Sequence, residues 1–504
     1  LALNGVDFDL VVKYESYEPS LYDLKRYFYN VEKMVDGKKE FAPVIGEDEN
    51  CIISTLAFVL EKIPIVIQGY AGSGKTQIME AVQNLIPEEK QITIKVGSGK
   101  FVWYQMKAIN KKEYVIVSEY QKAAGDFLEV LKDWGERRDA QYTVTDVTKR
   151  DPDDADADRV RVKNLPFKPF MTSKAYENKD AKITEELGRR VIQLFTNSSV
   201  PMNERILEWK LACKSKKKHE LKTMGDDEIE MLKMHLEEVM DLPEFEIKNP
   251  AAPALLEYVP KIFRISCSLI NYYLKIVDAV TKFNFKKRLV IEDKYLLSTL
   301  EDNYLAWVIY GPSFVESCLD MNVLGRHILS VFPTNENQQR FEGIYEPTME
   351  ETLSETEVIE NLRAKGIILK RGEVRQKLIE LLLTGYVDQF EGTGGKTRGN
   401  RYYKTHLAEI LLNDEAVDWI KINEVMKKEI SEHFPEVSEE YIKKYCMNPI
   451  ITRHPISGQE ISLLEEREIK VVKREDVKGT IENIMKKIEV DTDGLDEENP
   501  GSTA

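Results

Sequence analysis

Eight residues constrain this chain more than any other stretch. Gly69-Tyr-Ala-Gly-Ser-Gly-Lys-Thr76 has the spacing G-x-x-x-x-G-K-[ST], filled by Gly69, Gly74, Lys75 and Thr76. Glycine at those points lets the backbone wrap closely and aim its N–H groups at phosphate oxygens. Lys75 places a cation against the β and γ phosphates, and Thr76 offers a hydroxyl to Mg²⁺. Ile63-Pro-Ile-Val-Ile-Gln68 reads as a strand before the loop. A helix from about Thr76 to Leu85 follows, with its positive N-terminal end toward the same anion. The expected nucleotide-binding segment is thus Gly69, Tyr70, Ala71, Gly72, Ser73, Gly74, Lys75, Thr76 and Gln77, and the expected ligands are ATP and Mg²⁺.

Splitting a phosphoanhydride also needs an acid on a neighbouring strand. Tyr114-Val-Ile-Val-Ser-Glu119 supplies an apolar strand ending in one, and Glu119 is the expected activator of the attacking water. Ser118 stands where a first acid would help hold Mg²⁺; its hydroxyl could hold a metal-bound water instead. A polar residue at the end of a third strand, Thr172 or Ser173, could orient the water, although a plain strand-end turn is the simpler reading. Arg189 and Arg190 precede the apolar run Val191–Phe195. They could reach the γ phosphate of a neighbouring subunit, or pair within the chain with Glu185 or Glu186.

Further apolar runs at Gln91–Lys95, Phe167–Thr172 and Val191–Phe195 alternate with helical or loop segments. That alternation predicts an α/β fold with a parallel sheet. The expected organisation is an unassigned segment over 1–45, an α/β core over 46–200 and a helical lid and linker over 201–335. A compact unit over 350–405 follows, then a helical or mixed region over 406–489 and an acidic tail over 490–504. In the lid, apolar positions recur at helical spacing in Ile262–Ile276 and Tyr295–Tyr310.

The compact unit reads as helix, turn, helix and basic hairpin, the pattern of a winged helix-turn-helix. Ser354 with Glu357 offers a capping box. Lys370, Arg371, Arg375, Lys377, Lys396, Arg398, Arg401 and Lys404 make this unit locally basic in a chain whose net charge is −16. Such a balance opposes coating of nucleic acid over the whole surface but leaves room for a local basic contact. DNA is therefore an expected partner, with Arg371, Arg375, Lys396, Arg398 and Arg401 as contacts. Tyr402 and Tyr403 could stack beside a strand or simply pack the wing.

Five cysteines, Cys51, Cys213, Cys267, Cys318 and Cys446, are scattered without a C-x-x-C pair, as in reduced cytosolic proteins. No apolar run approaches the ~20 residues of a membrane span, and there is no signal-peptide pattern. A cytoplasmic or nucleoid-associated protein without a membrane partner is expected. The chain begins with Leu1 rather than Met, which leaves room for residues upstream, an N-terminal domain among them.

The order of these parts resembles an AAA+ ATPase, and within that class it is most similar to the minichromosome maintenance replicative helicases. Ser118-Glu-Tyr-Gln-Lys-Ala123 resembles that family's Asp-Glu-Phe-Asp-Lys-Met signature, with Ser118 in place of the first Asp. Glu186-Leu-Gly-Arg-Arg-Val-Ile192 resembles its arginine-finger segment. The similarity covers roughly residues 45–405. It implies a DNA-touching β-hairpin over Thr143–Lys163, with Lys149, Arg150, Arg159, Arg161 and Lys163 flanking an acidic tip. It also implies a nucleotide-sensing arginine at Arg264 and self-association into a ring. The expected activity is that of an ATP-driven motor that translocates on or unwinds single-stranded or forked DNA. Two alternatives stand beside it: an initiator or loader that uses ATP as a slow switch, which Ser118 would suit, and a MoxR-like protein-remodelling ATPase, which the acidic charge would suit.

Overall fold

The computed structural model describes residues 8–35, 37–95, 100–120, 123, 125–145, 160–175, 185–197, 200–255, 264–318, 323–333, 348–367, 369–383, 386–390, 400–404, 417–447 and 450–464. The chain divides into two compact units. The first comprises Leu1–Leu255, Cys267–Tyr310 and Ile422–Leu463; the second comprises Leu256–Ser266, Gly311–Lys421 and Leu464–Ala504.

The first unit opens with helices Phe8–Glu15 and Leu21–Phe28 and an antiparallel pair, β1 (Glu32–Val35) and β2 (Lys38–Phe41). Ser20 and Asp23 cap the second helix reciprocally, and Leu21, Leu24, Tyr27 and Phe28 form its buried face. Helix Asp48–Ser54 continues as a π-helical turn, Thr55–Leu60, and leads into the central sheet.

That sheet contains β3 (Ile65–Gly69), β4 (Gln91–Ile94) and β5 (Tyr114–Val117). A hairpin of β6 (Ala140–Thr145) and β7 (Val160–Leu165) interrupts the series, and β8 (Phe170–Ala175) and β9 (Ile192–Phe195) complete it. The spatial order is β4-β5-β8-β3-β9, and every neighbouring pair is parallel. Ile65, Val66 and Ile67 are buried, as a parallel strand covered on both faces requires. Each such side chain contributes roughly 1.5–3 kcal/mol by leaving water. Helix Asp126–Gly135 packs Phe127, Leu131 and Trp134 against one face, over Val66, Val115 and Phe170.

All five strands expected from sequence are present, but β8 runs over Phe170–Ala175 rather than ending at Thr172. The ladder explains the extension: β8 pairs with β3 from Met171 through Ala175, so the polar Thr172-Ser173 step is interior to the strand. The strand ending in Glu119 is not next to the phosphate-loop strand either, because β8 lies between β5 and β3.

After β9 come helices Val200–Ser215, Asp226–Met240 and, after a gap in the described residues, Arg264–Phe283. The expected helix over Tyr295–Tyr310 begins only at Leu300. Tyr295–Leu297 is a strand, paired antiparallel with Val290–Ile291 and parallel with Glu246–Lys248. Glu292 and Asp293 both take positive φ (53° and 52°), which reverses the chain there and precludes a continuous helix. Helices Trp419–His433 and Glu439–Cys446 lead to an antiparallel pair, Ile451–Arg453 with Glu460–Ser462. This last segment is fastened to the rest of the first unit by Thr452 Oγ1 donating to Glu301 (2.8 Å) and Tyr445 donating to the Lys287 carbonyl (2.7 Å).

In the second unit, helices Val323–Leu329, Glu355–Ala364 and Arg371–Leu383 pack together. A small antiparallel sheet accompanies them: Leu353–Ser354 pairs with Arg401–Lys404, which pairs with Val387–Phe390. Ser354 and Glu357 form the expected capping box: the Glu357 amide donates to Ser354 Oγ (3.3 Å), and the Ser354 amide donates to Glu357 (2.7 Å). No helix among the described residues is long and apolar enough to cross a membrane.

Candidate functional site

Because the five strands are parallel, their carboxyl ends share one edge, where ligands bind in sheets of this kind. The Gly69–Thr76 loop leaves β3 at that edge and enters helix Lys75–Gln83. Gly72 and Gly74 take φ of +78° and +85°, so the loop needs glycine at both. Lys75 is buried, and its Nζ donates to the carbonyl of Gly69 (2.9 Å) and to that of Tyr70, which ties the ammonium across the loop. Thr76 is exposed in the first helical turn, where backbone N–H groups have no intrahelical acceptor. Tyr70, Ala71 and Gly72 are exposed, and Ser73 and Gly74 half-buried. Gln77 turns away from the loop: its amide donates to the carbonyls of Ala42 (3.2 Å) and Pro43.

Register puts the acid at the same edge. Val117 is level with Thr172, and Ser173 and Lys174 are level with Ile67 and Gln68. Glu119 lies two residues beyond the end of β5, and β5 is two strand spacings from β3, about 10 Å between backbones. That interval suits a γ phosphate with a water beside it. Glu119 is half-buried. The Ser118 hydroxyl and amide both donate to the Ile94 carbonyl, at 3.4 and 3.3 Å.

The two water-orienting candidates lie inside β8 rather than at its end. Thr172 is fully buried within β8, and Ser173 donates from Oγ to the Ser118 carbonyl (2.8 Å), bracing the turn that carries Glu119. Arg190 forms an ion pair with Glu136, at the end of helix Asp126–Gly135; the side chains of Glu185 and Glu186 lie outside the described residues. Arg189 is exposed, and its carbonyl accepts from Tyr272 (3.3 Å). Arg264 begins helix Arg264–Phe283; its side chain is outside the described residues.

Sequence reading passed over two further residues. Thr196, at the end of β9, lies against the loop: its Oγ1 is 2.7 Å from Ser73 Oγ and donates to the Gln68 carbonyl (3.2 Å). Glu47 is buried and accepts from the Asn197 amide (2.7 Å) and from Asn50 Nδ2 (2.6 Å). Burial pushes its carboxyl up to about 7 despite those two donors. The logic that singled out Thr172-Ser173 applies equally to Thr196-Asn197, which follows β9 directly; Glu47 had no such signal.

The expected hairpin is present as β6 and β7, with Thr143 level with Val162. Its base is fixed by Tyr142 stacked on Trp103 (5.2 Å, 24°) and by Asn164 and the Phe167 amide donating to Asp139, both at 3.0 Å. Those donors hold the Asp139 carboxyl below its ordinary range. Lys163 Nζ lies 5.8 Å from the ring centre of the exposed Tyr104. Lys149, Arg150 and Arg159 fall outside the described residues, as does the side chain of Arg161.

In the second unit, Arg371 and Arg375 are exposed, although Arg371 donates to Glu355 (2.6 Å). Arg401 is bound to the Thr352 hydroxyl (2.7 Å), the Thr352 carbonyl (2.6 Å) and Glu357 (3.0 Å), so it fastens the sheet to the first helix instead of standing free for a phosphate. Tyr402 is buried and packs the sheet. Lys396 and Arg398 are outside the described residues.

Of the two expected metal ligands, the Thr76 hydroxyl is exposed at the loop, while that of Ser118 is directed to Ile94. One protein hydroxyl beside a phosphate cradle fits Mg²⁺, which keeps most of its ligands as water and phosphate oxygens. Comparison with protein-family models gives no match, and no curated protein matches the chain.

Proposed function

We propose that the chain is an ATP-hydrolysing motor that acts on DNA, of the AAA+ class and similar to replicative helicases, working as a ring. One observation carries the reading: a glycine-bent phosphate loop with Lys75 and Thr76 shares the carboxyl edge of a parallel sheet with Glu119. A hairpin between the Glu119 strand and β8, and a helix–helix–hairpin unit that fits a winged helix, support action on DNA.

In this mechanism the loop amides and Lys75 bind the β and γ phosphates. Thr76 would hold Mg²⁺, which neutralises phosphate charge. Glu119 orients water for attack on the γ phosphorus. Arg189, exposed on the turn before β9, or Arg190 beside it would reach a neighbouring subunit's phosphates. A slow ATP switch is the second reading. Ser118 favours it, because a hydroxyl and not a carboxylate precedes Glu119 in the sequence.

The test is the steady-state ATPase rate with and without single-stranded and forked DNA, with Glu119→Gln as the blank. We expect DNA to raise the rate severalfold and the variant to bind ATP without turnover. A rate indifferent to DNA would remove the motor, and tight ATP binding with negligible hydrolysis would select the switch.

A further inference from the structure

Three consecutive residues at the end of β9 are held by two other parts of the first unit, the β3 strand and the start of helix Asp48–Ser54. The Phe195 carbonyl accepts from Asn50 Nδ2 at 2.9 Å. Thr196 donates from its amide (2.9 Å) and its hydroxyl to the Gln68 carbonyl on the phosphate-loop strand. The Asn197 amide donates to Glu47. With the Thr196 proton given to Gln68, the 2.7 Å contact to Ser73 Oγ must use the serine proton. The relay therefore runs from Ser73 through Thr196 to Gln68, and it fixes the Ser73 side chain toward β9.

Two features indicate that this arrangement is specific. A Cβ on Gly69 would fall inside van der Waals contact of Thr196 Oγ1, so the loop's first glycine admits the threonine to that position. Glu47 immediately precedes helix Asp48–Ser54 yet makes no side-chain cap to it; its carboxylate is turned to the strand end instead.

We propose that Thr196 and Glu47 form a latch that positions the phosphate loop and thereby sets nucleotide affinity. Thr196 is the direct positioning residue, and Glu47 acts through it by holding Asn197. Neither is a catalytic residue. The proposal rests on the phosphate-site reading above and adds to it the residues that hold the loop in shape. Groups that stiffen a binding loop without touching reacting atoms alter ground-state and transition-state binding together, so the effect belongs in KM and not in kcat.

The experiment measures KM and kcat for ATP in the full chain with Thr196→Val, Thr196→Ser and Glu47→Ala, and Lys75→Ala as the control. We expect Thr196→Val, which keeps the shape and removes the hydroxyl, to raise KM about tenfold with kcat within about twofold. Thr196→Ser restores the hydroxyl and should return KM to near its original value, and Glu47→Ala should raise KM in the same direction. An unchanged KM in Thr196→Val, a fall in kcat alone, or failure of serine to rescue overturns the latch. If Thr196→Val does not fold, Ser73→Ala, which removes the other hydroxyl of the contact, must show the KM increase or the latch falls. Activity surviving in Lys75→Ala overturns the site reading itself and the latch with it; an inactive Lys75→Ala beside an unaffected Thr196→Val overturns the latch alone.

Discussion

Arg189 and Arg190 are adjacent and chemically identical, yet their surroundings differ. Arg190 is half-buried against Glu136, a pair that joins the turn before β9 to the end of helix Asp126–Gly135. Truncating it removes one of the two ion pairs of Glu136, which is only 15% exposed and keeps Arg138, a change that costs about 1 kcal/mol. Arg189 is exposed, so its truncation costs within ~0.5 kcal/mol of stability. The expected outcome is a division: Arg190→Ala lowers the melting temperature, while Arg189→Ala leaves it in place and lowers ATPase activity. Equal loss of stability in both would contradict the assignment. The pair Arg189-Arg190 was legible in the sequence, but the partner of Arg190 was not, because Glu136 is more than 50 residues away and only the packing of that helix end brings it close. Local motif reasoning singles out Lys75, Thr76 and Glu119 because each follows from chain-adjacent geometry, and the same strand-end logic extends to Thr196; it has no signal for Glu47, whose contacts arise where separate segments meet.

At the scale of elements, hydrophobic runs located all five parallel strands, since Ile-Val-Ile and Tyr-Val-Ile-Val can bury both faces only in such a sheet. Their order was not legible. Strand order is set by which way each crossover travels, and nothing in β8 itself declares that it inserts between β3 and β5. Strands of two or three residues, Val290–Ile291 and Tyr295–Leu297, carry too short a pattern to separate from helix. The capping box at Ser354 was legible because it is local, and it gives an element-scale test. Ser354→Ala removes the acceptor for the Glu357 amide and should destabilise helix Glu355–Ala364 by about 1 kcal/mol. Amide hydrogen exchange over residues 355–364 should then quicken about fivefold by local opening, with exchange in β3 and β5 unaltered. Unchanged protection in that helix would mean that the neighbouring helices alone hold its first turn.

For the molecule as a whole, the dependence of stability on pH is the sum of buried groups pulling in opposite directions. Glu47 and His235 are the clearest opposed pair. Burial raises the Glu47 carboxyl from 4.5 to about 7, and burial lowers the His235 imidazole from 6.5 to about 4, although the Phe283 carbonyl at 2.7 Å favours the protonated ring. Between pH 4.5 and 7 the folded chain keeps a proton on Glu47 that the unfolded chain has released. The stability linked to Glu47 is therefore full below pH 4.5 and is lost as pH rises through about 7. His235 has the reverse sign: its contribution is full above pH 6.5 and is lost as pH falls through about 4. Each shift corresponds to a change on the order of 3 kcal/mol, so in the interval from pH 4.5 to 6.5 the two slopes offset one another and the unaltered protein hides both. Substitution separates them. Relative to the unaltered chain, Glu47→Gln should gain stability as pH is raised from 5 to 8, because its neutral amide has no charge to bury. His235→Gln should gain, relative to the same reference, as pH is lowered from 7.5 to 4.5. Urea midpoints followed by tryptophan fluorescence across pH 4.5–8 would measure both. Profiles parallel to that of the unaltered chain would show that these sites admit enough water on opening to escape the cost of burial, and opposite slopes in the two variants would establish that the chain's tolerance of pH is a cancellation between a buried acid beside the phosphate loop and a buried base packed between Phe283 and Phe285.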